Sequence, residues 1–308
     1  MHIDGRRLEH FLTAIEAGSI LGAAERLHLS QPALSRSIRD LETTVGVALL
    51  ERHPRGVRPT VYGEVLARHA RLLHNQARVA LAEIEALRQG RDGHLRIGTA
   101  PSFHRILPAA IAQLVQTHPG LTFDVVEGTY DTVAEGVLAG DLEAAFTMFP
   151  AGEPREGLVL RPLIQSEFVL VMSADHALAR RRALDLHDLV ETPWVIVFRP
   201  ASLADRVREA FVESGLAPPT RCVQTDSVPV VKNLLLSGSF VSVLPREIVH
   251  DEIRAGQLVA KRIPGPTGSA TAGVIVRESA VLPATIDVLI AAVESEQKRM
   301  RLPGRTPL

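Results

Sequence analysis

Gln31, Ser35 and Arg39 recur every four residues with Arg36 beside them, while Leu34, Ile38 and Leu41 share the opposite side of the same segment. At helical spacing, one face packs and the other offers amide, hydroxyl and guanidinium groups. Base edges and phosphates require such groups, and an α-helix fits the major groove of duplex DNA. Ser30 and Pro32 mark the start of this helix, a capping hydroxyl followed by a first-turn proline. Arg52, Arg55 and Arg58 follow in LERHPRGVRPTVY (50–62), where two prolines and a glycine favour a hairpin wing over a helix. A basic wing reaches the DNA backbone or minor groove. Residues 26–60 hold six arginines (26, 36, 39, 52, 55, 58) against Asp40, Glu42 and Glu51, a local +3 in a chain of net charge −1. A polar helix face by itself is usually only solvated, so the elements around it decide its meaning.

Those elements come in a telling order. Leu8, Phe11, Leu12 and Ile15 predict a first helix stopped at Gly18; Ser19 caps a second that buries Ala23, Ala24 and Leu27; Ser30 caps the third. After the wing a long helix is predicted from Gly63 to about Arg88. On it Leu66, Ala70, Leu73, Ala77, Ala80, Ile84 and Leu87 alternate steps of four and three, a seam suited to self-pairing, with packing on its own chain as the alternative. QGRDG (89–93) breaks that helix.

Beyond Gly93 strands alternate with helices, which predicts two α/β halves on a mostly parallel sheet: strands at 95–100, 123–128, 144–149, 168–173, 194–198, 222–225 and 240–245, and a last helix over about 280–299. Strands near 161–164 and 261–263 carry the chain between the halves. Ligands of such sheets bind beyond strand carboxyl ends, at helix N-termini. The candidates there are Thr99, Pro101, Ser102, Phe103, Thr129, Thr147, Phe149, Phe198, Arg199, Ser202 and Ser227. The phenylalanines are placed as walls, and Arg199 as the partner of an anionic ligand. Each hydroxyl alone serves equally well as a helix cap, and only their recurrence favours a pocket. A carboxylate suits the N–H groups and Arg199, whereas a sugar suits the hydroxyls.

The stretch 8–63, with AAERLHLSQPALSRSIRDLE, Gly46 and LLERHPRGVRPTVYG, resembles the winged helix-turn-helix of the LysR-type transcriptional regulators. The order of parts and the length agree over nearly the whole chain; beyond Gly93 the match is architectural. The resemblance implies an all-α winged helix-turn-helix domain at 1–59, a linker (dimerisation) helix at 60–89, and an α/β periplasmic-binding-protein-like effector domain at 93–308. The effector domain divides into two Rossmann-like subdomains, one about 93–163 and 268–300, the other about 164–267. It makes Gln31, Pro32, Ser35, Arg36 and Arg39 the DNA-facing residues, and gives Thr60 a phosphate or the cap of the long helix. It also implies a dimer through Leu66, Leu73, Ala77, Ala80, Ile84 and Leu87, a tetramer of such dimers, an interrupted-palindrome promoter site, and contact with RNA polymerase. Leu21, Leu50, Pro59 and Tyr62 depart from the usual pattern; Leu21 removes a phosphate contact, and PTVYG resembles a branch of sugar-related and aromatic-catabolism regulators.

Composition bounds the alternatives. At 46% apolar and 22% charged, 308 residues fold into about two domains and exclude a disordered chain. The charged start and the absence of a long apolar run predict no membrane segment. The one cysteine, Cys222, excludes an intramolecular disulfide or multi-thiolate metal site, implies a reducing cytoplasmic compartment, and is expected as a buried thiol. Among twelve histidines none has metal-site spacing such as HExxH, and no P-loop or dinucleotide-binding loop occurs. No enzyme, metal or cofactor is expected. Two rivals remain distinct: a small-molecule binding protein or enzyme whose first 88 residues serve only assembly, and a sequence-indifferent DNA binder.

Overall fold

The computed structural model describes residues 3–54, 56–88, 93–150, 155–197, 201–262, 269–278 and 282–301. The chain divides into two compact units, Met1–Gln89 with Leu138–Asp141, and the remainder.

The first unit contains α1 (Gly5–Ala17), α2 (Ile20–Arg26), α3 (Gln31–Val45), the strands β1 (Leu50–His53) and β2 (Gly56–Pro59), and α4 (Val61–Arg88). The expected caps are present: Ser19 Oγ accepts from Gly22 N at 3.0 Å and Ser30 Oγ from Ala33 N at 3.4 Å. Phe11 of α1, Ala23 of α2 and Leu34, Ile38 and Leu41 of α3 close a core against Leu49, Val57 and the buried Ala67 and Ala70 of α4. The wing is the antiparallel pair β1–β2, Leu50 opposite Pro59 and His53 opposite Gly56. It is tied down where the Val57 N–H donates to Gly18 O at 2.8 Å. Gly56 makes that approach feasible: its φ is +133° and a Cβ there would collide with the Gly18 carbonyl. Gly56→Ala is therefore expected to destabilise this unit by about 1–3 kcal/mol, read as a lower melting transition in calorimetry.

The second unit runs, in chain order, β3 (Gly93–Thr99), α5 (Ile106–Thr117), β4 (Leu121–Glu127), α6 (Tyr130–Ala139), β5 (Ala144–Met148), β6 (Leu158–Ser173), β7 (Trp194–Val197), α7 (Ala201–Glu213), β8 (Cys222–Thr225), α8 (Val228–Leu236), β9 (Val241–Pro245), α9 (His250–Arg254), β10 (Leu258–Lys261), β11 (Ser269–Arg277) and α10 (Ala284–Arg301). The strand order is β4-β3-β5-β11-β6-β9-β7-β8, with β10 on β6. The sheet is not mostly parallel. Parallel pairing is confined to β4-β3-β5 and β9-β7-β8. The 16-residue β6 runs from one half into the other and β11 returns beside it, so every pair involving either strand is antiparallel. In β6 the alternation of a strand shows directly: Phe168, Leu170 and Met172 enter one core cluster, Val169 and Val171 the other. Helices cover both faces there, which is why FVLVMS reads as an unbroken apolar run.

Candidate nucleic-acid interface and ligand site

The capped N-terminus of α3 presents Gln31, Pro32, Arg36 and Arg39 to solvent and Ser35 half-buried, over the buried Leu34, Ile38 and Leu41. Two contacts fix its placement: His10 Nδ1 lies 2.8 Å from Ser37 Oγ, and Glu42 Oε1 accepts from Leu49 N at 2.9 Å and Leu50 N at 3.2 Å. The donor face itself is uncommitted. Arg36, Arg39, Arg52 and Arg58 are exposed and form no ion pair among the described residues. Arg55 lies outside the described residues. Leu21, at the start of α2, is 58% exposed, an apolar group on the surface of this unit.

Thr60 resolves toward capping. Its hydroxyl donates to Ala48 O at 2.8 Å and accepts from Gly63 N at 3.0 Å, so its single proton is committed and α4 begins at Val61, two residues before the expected start. A Cβ on Gly63 would meet the Leu49 carbonyl, a reason for the glycine of PTVYG.

Along α4 the expected seam divides. Ala70 is buried and Leu66 half-buried against the core of the first unit. Leu73 (64%), Ala77, Ala80 and Ile84 (54%) lie exposed. The Leu87 side chain is outside the described set.

In the second unit the candidate ligand residues separate further. Ser102 is buried on the short 3-10 turn Pro101–Phe103, its hydroxyl without a partner. Thr99 and Thr147 are buried, with only long 3.4 Å bonds to Ala100 O and Met148 O. Thr129 caps α6, accepting from Thr132 N at 3.4 Å and lying 3.1 Å from Thr132 Oγ1. Ser227 occupies the cap position of α8 without making the cap bond. Phe149 is half-buried over Gly273. Phe103 is no cleft wall: it is fully buried, its ring 5.5 Å from Phe146 inside the core, because adjacent residues of the turn point in different directions. Phe198 and Arg199 lie outside the described residues, as does the Ser202 side chain. Cys222 is exposed rather than buried, since β8 is last in the sheet order and, among the described residues, pairs only with β7.

Two residues escaped the sequence reading. Glu247, on the turn Arg246–Val249, has an Oε2 without a hydrogen-bond partner, and Ser166, fully buried in β6, has an unpartnered Oγ. Burial pushes the Glu247 carboxyl above the ordinary carboxylate range. Its own backbone N–H, the nearby Ser166 hydroxyl and Arg246 pull the other way, and Glu167 adds to the rise. The signal available was REIV directly after the strand FVSVLP, an acid at a strand's carboxyl end. With its folded value above the unfolded one, this carboxyl lowers stability as pH rises through that window. Glu247→Gln is therefore expected to raise the melting temperature at neutral pH, with the gain disappearing below the ordinary carboxylate range.

Among the described residues no group of His, Cys, Asp and Glu could hold a metal, and no helix is long and apolar enough to cross a membrane.

Comparison with known proteins joins both sites. A family model for the bacterial regulatory helix-turn-helix protein, lysR family, matches residues 6–64, and one for the LysR substrate binding domain matches residues 88–298. The HTH-type transcriptional regulator GbpR of Azospirillum brasilense is 31% identical over 269 residues, 86% of this chain and 75% of that protein. The SDS degradation transcriptional activation protein of a Pseudomonas species is 30% identical over 301 residues, 96% of this chain and 97% of its own. Full-length CbnR, solved in complex with its target DNA, superposes with a TM-score of 0.66 at 25% identity, covering 96% of this chain and all of that one.

Proposed function

We propose, from the premise that this chain belongs to the LysR family of bacterial transcriptional regulators, that α3 enters the major groove of an interrupted-palindrome promoter site. As a family member the chain is a DNA-binding regulator with an effector-binding domain, not an enzyme. Ser35 and Arg36 read base edges, Gln31, Pro32 and Arg39 flank them, and Ser30 holds the helix start. Arg52, Arg55 and Arg58 follow the backbone from the wing. One observation carries this assignment: Arg36 and Arg39 on the exposed face of α3 form no ion pair among the described residues, while the helix beneath them is capped and packed. Structural likeness to CbnR, which was solved on its target DNA, supports it. Footprinting on the DNA upstream of the protein's own gene tests it. Two protected, phased half-sites are expected; protection no stronger than on competitor DNA would return the first unit to an assembly role.

The exposed stripe Leu73, Ala77, Ala80 and Ile84 pairs with the same stripe of a second copy. Leu66 contributes mainly to its own core, and Leu87 is a further candidate for the pairing. Pairing two α3 helices on one molecule matches a palindromic site, and two such dimers form a tetramer in the cytoplasm that contacts RNA polymerase. Leu73→Asp combined with Ile84→Asp, both at solvent-exposed positions, is expected to keep the folded circular-dichroism spectrum while sedimentation shows loss of the dimer and melting falls by the stabilisation that association had supplied. A variant that stayed dimeric would place the pairing elsewhere.

A small-molecule effector binds in the second unit where Thr99, Pro101, Ser102, Thr129, Thr147, Phe149 and Ser227 end strands or begin helices, with Phe198, Arg199 and Ser202 as further candidates. Binding there biases the angle between the halves and so the assembled state. The hydroxyl residues suit a sugar and Arg199 a carboxylate, and the PTVYG resemblance covers sugar-related and aromatic-catabolism regulators alike.

A further inference from the structure

Among the described residues of the second unit, four side chains hold a buried polar atom without a hydrogen-bond partner and form no ion pair through any atom: Ser102 (Oγ), Tyr130 (Oη), Ser166 (Oγ) and Glu247 (Oε2). Three of them sit on elements that pack together. The turn Pro101–Phe103 packs against the turn Arg246–Val249, and β6 packs against that second turn as well. Ser102 and Ser166 are 5% and 0% exposed. The Ser166 hydroxyl is near enough to favour ionisation of Glu247, yet neither Oγ nor Oε2 has a partner of good geometry. An orphaned buried hydroxyl or carboxyl costs stability unless something completes it. Here the orphans come from three segments that meet where the two halves of the sheet join.

We infer that Ser102, Ser166 and Glu247 form a subsite selecting effectors that present O–H or N–H donors without negative charge, a polyol, sugar or amine, and rejecting carboxylates. This rests on the effector reading above and narrows its ligand class. A buried carboxyl accepts hydrogen bonds in either protonation state, and the two hydroxyls donate or accept as the ligand requires. An anion brought beside Glu247 enters a poorly solvated place where burial already disfavours negative charge, and Glu167 adds to the repulsion while Arg246 offsets part of it.

The full-length protein is screened by thermal shift at pH 7 with millimolar aldoses and alditols, with putrescine and other alkylamines, and with succinate and benzoate. Binders are then measured by calorimetry on the wild type, Ser102→Phe, Glu247→Ala and Glu247→Gln, each checked by a cooperative melting transition of the second unit to show that it folds. The expected result is a shift from hydroxyl- or amine-bearing compounds only, weakened on the order of tenfold or more by Glu247→Ala and lost in Ser102→Phe. Glu247→Gln separates the two sources: an amine loses its counter-charge and binding, whereas a polyol retains most of its affinity. Carboxylate binding that Ser102→Phe abolishes and Glu247→Ala leaves intact or improves would overturn the inference and keep the effector site. Binding indifferent to Ser102→Phe would overturn both. A screen in which no donor-bearing compound shifts melting also overturns the inference.

Discussion

Arg36→Ala is expected to weaken binding to the specific promoter site by about 10- to 100-fold while the protein melts as before. The side chain is exposed on α3 and makes no ion pair among the described residues, so its removal leaves no buried partner unsatisfied. The loss is confined to the complex. A guanidinium bidentate to guanine O6 and N7 is worth about 1–3 kcal/mol of discrimination. Because the contact is to a base, affinity for unrelated DNA should fall much less, and the salt dependence should keep nearly its original slope. Arg58→Ala on the wing gives the contrast: a uniform loss across sequences and a slope of log K against log salt shallower by about one. Titrations of both variants on specific and scrambled duplexes at several salt concentrations separate base reading from phosphate holding. If Arg36→Ala weakened both duplexes equally, Arg36 would be a backbone contact, and base reading would pass to Ser35 and Gln31.

The contrast between the two units shows where sequence suffices. In the first, local chemistry determines nearly everything: Ser19 and Ser30 are caps, Gly18 and Gly46 end helices in the left-handed region, and the apolar spacing of α3 fixes which side reaches DNA. Each depends on residues three or four apart. In the second unit the strands were legible as apolar runs, but the direction of pairing was not. Whether β11 runs with β5 or against it depends on a crossing more than a hundred residues away. Cys222 reads as a core thiol because CVQT looks like any short strand; its exposure follows from being last in the sheet order. Phe103 and Ser102 are neighbours with opposite fates, and only the turn geometry distinguishes the ring that joins Phe146 from the hydroxyl left unpartnered. Glu247 and Ser166 gain meaning only together, from segments about eighty residues apart in the chain, and no spacing rule reaches that far.

Filling the ligand site should disconnect response from DNA binding. Ser102→Phe places a ring where a buried hydroxyl now sits, and Thr129→Tyr extends a half-buried cap at the start of α6. The first is expected to lower stability by about 1–3 kcal/mol, the usual cost of overpacking. The second sits closer to solvent and serves as the check that any lost response is not lost folding. For a compound that shifts the wild-type melting curve, affinity should fall by about a hundredfold or more in Ser102→Phe, an energy of about 3 kcal/mol. The footprint without that compound should be unchanged, since α3 and its core belong to the other unit. In the wild type the compound should alter the protected pattern; in both variants the pattern should stay as it is without ligand. Such a result requires the two assembled states to differ in their affinity for ligand, because a ligand binding both equally shifts neither. Should Thr129→Tyr lose the promoter footprint as well, the ligand site and the DNA-reading helix would be coupled through folding itself, and the separation of roles between the two units would fail.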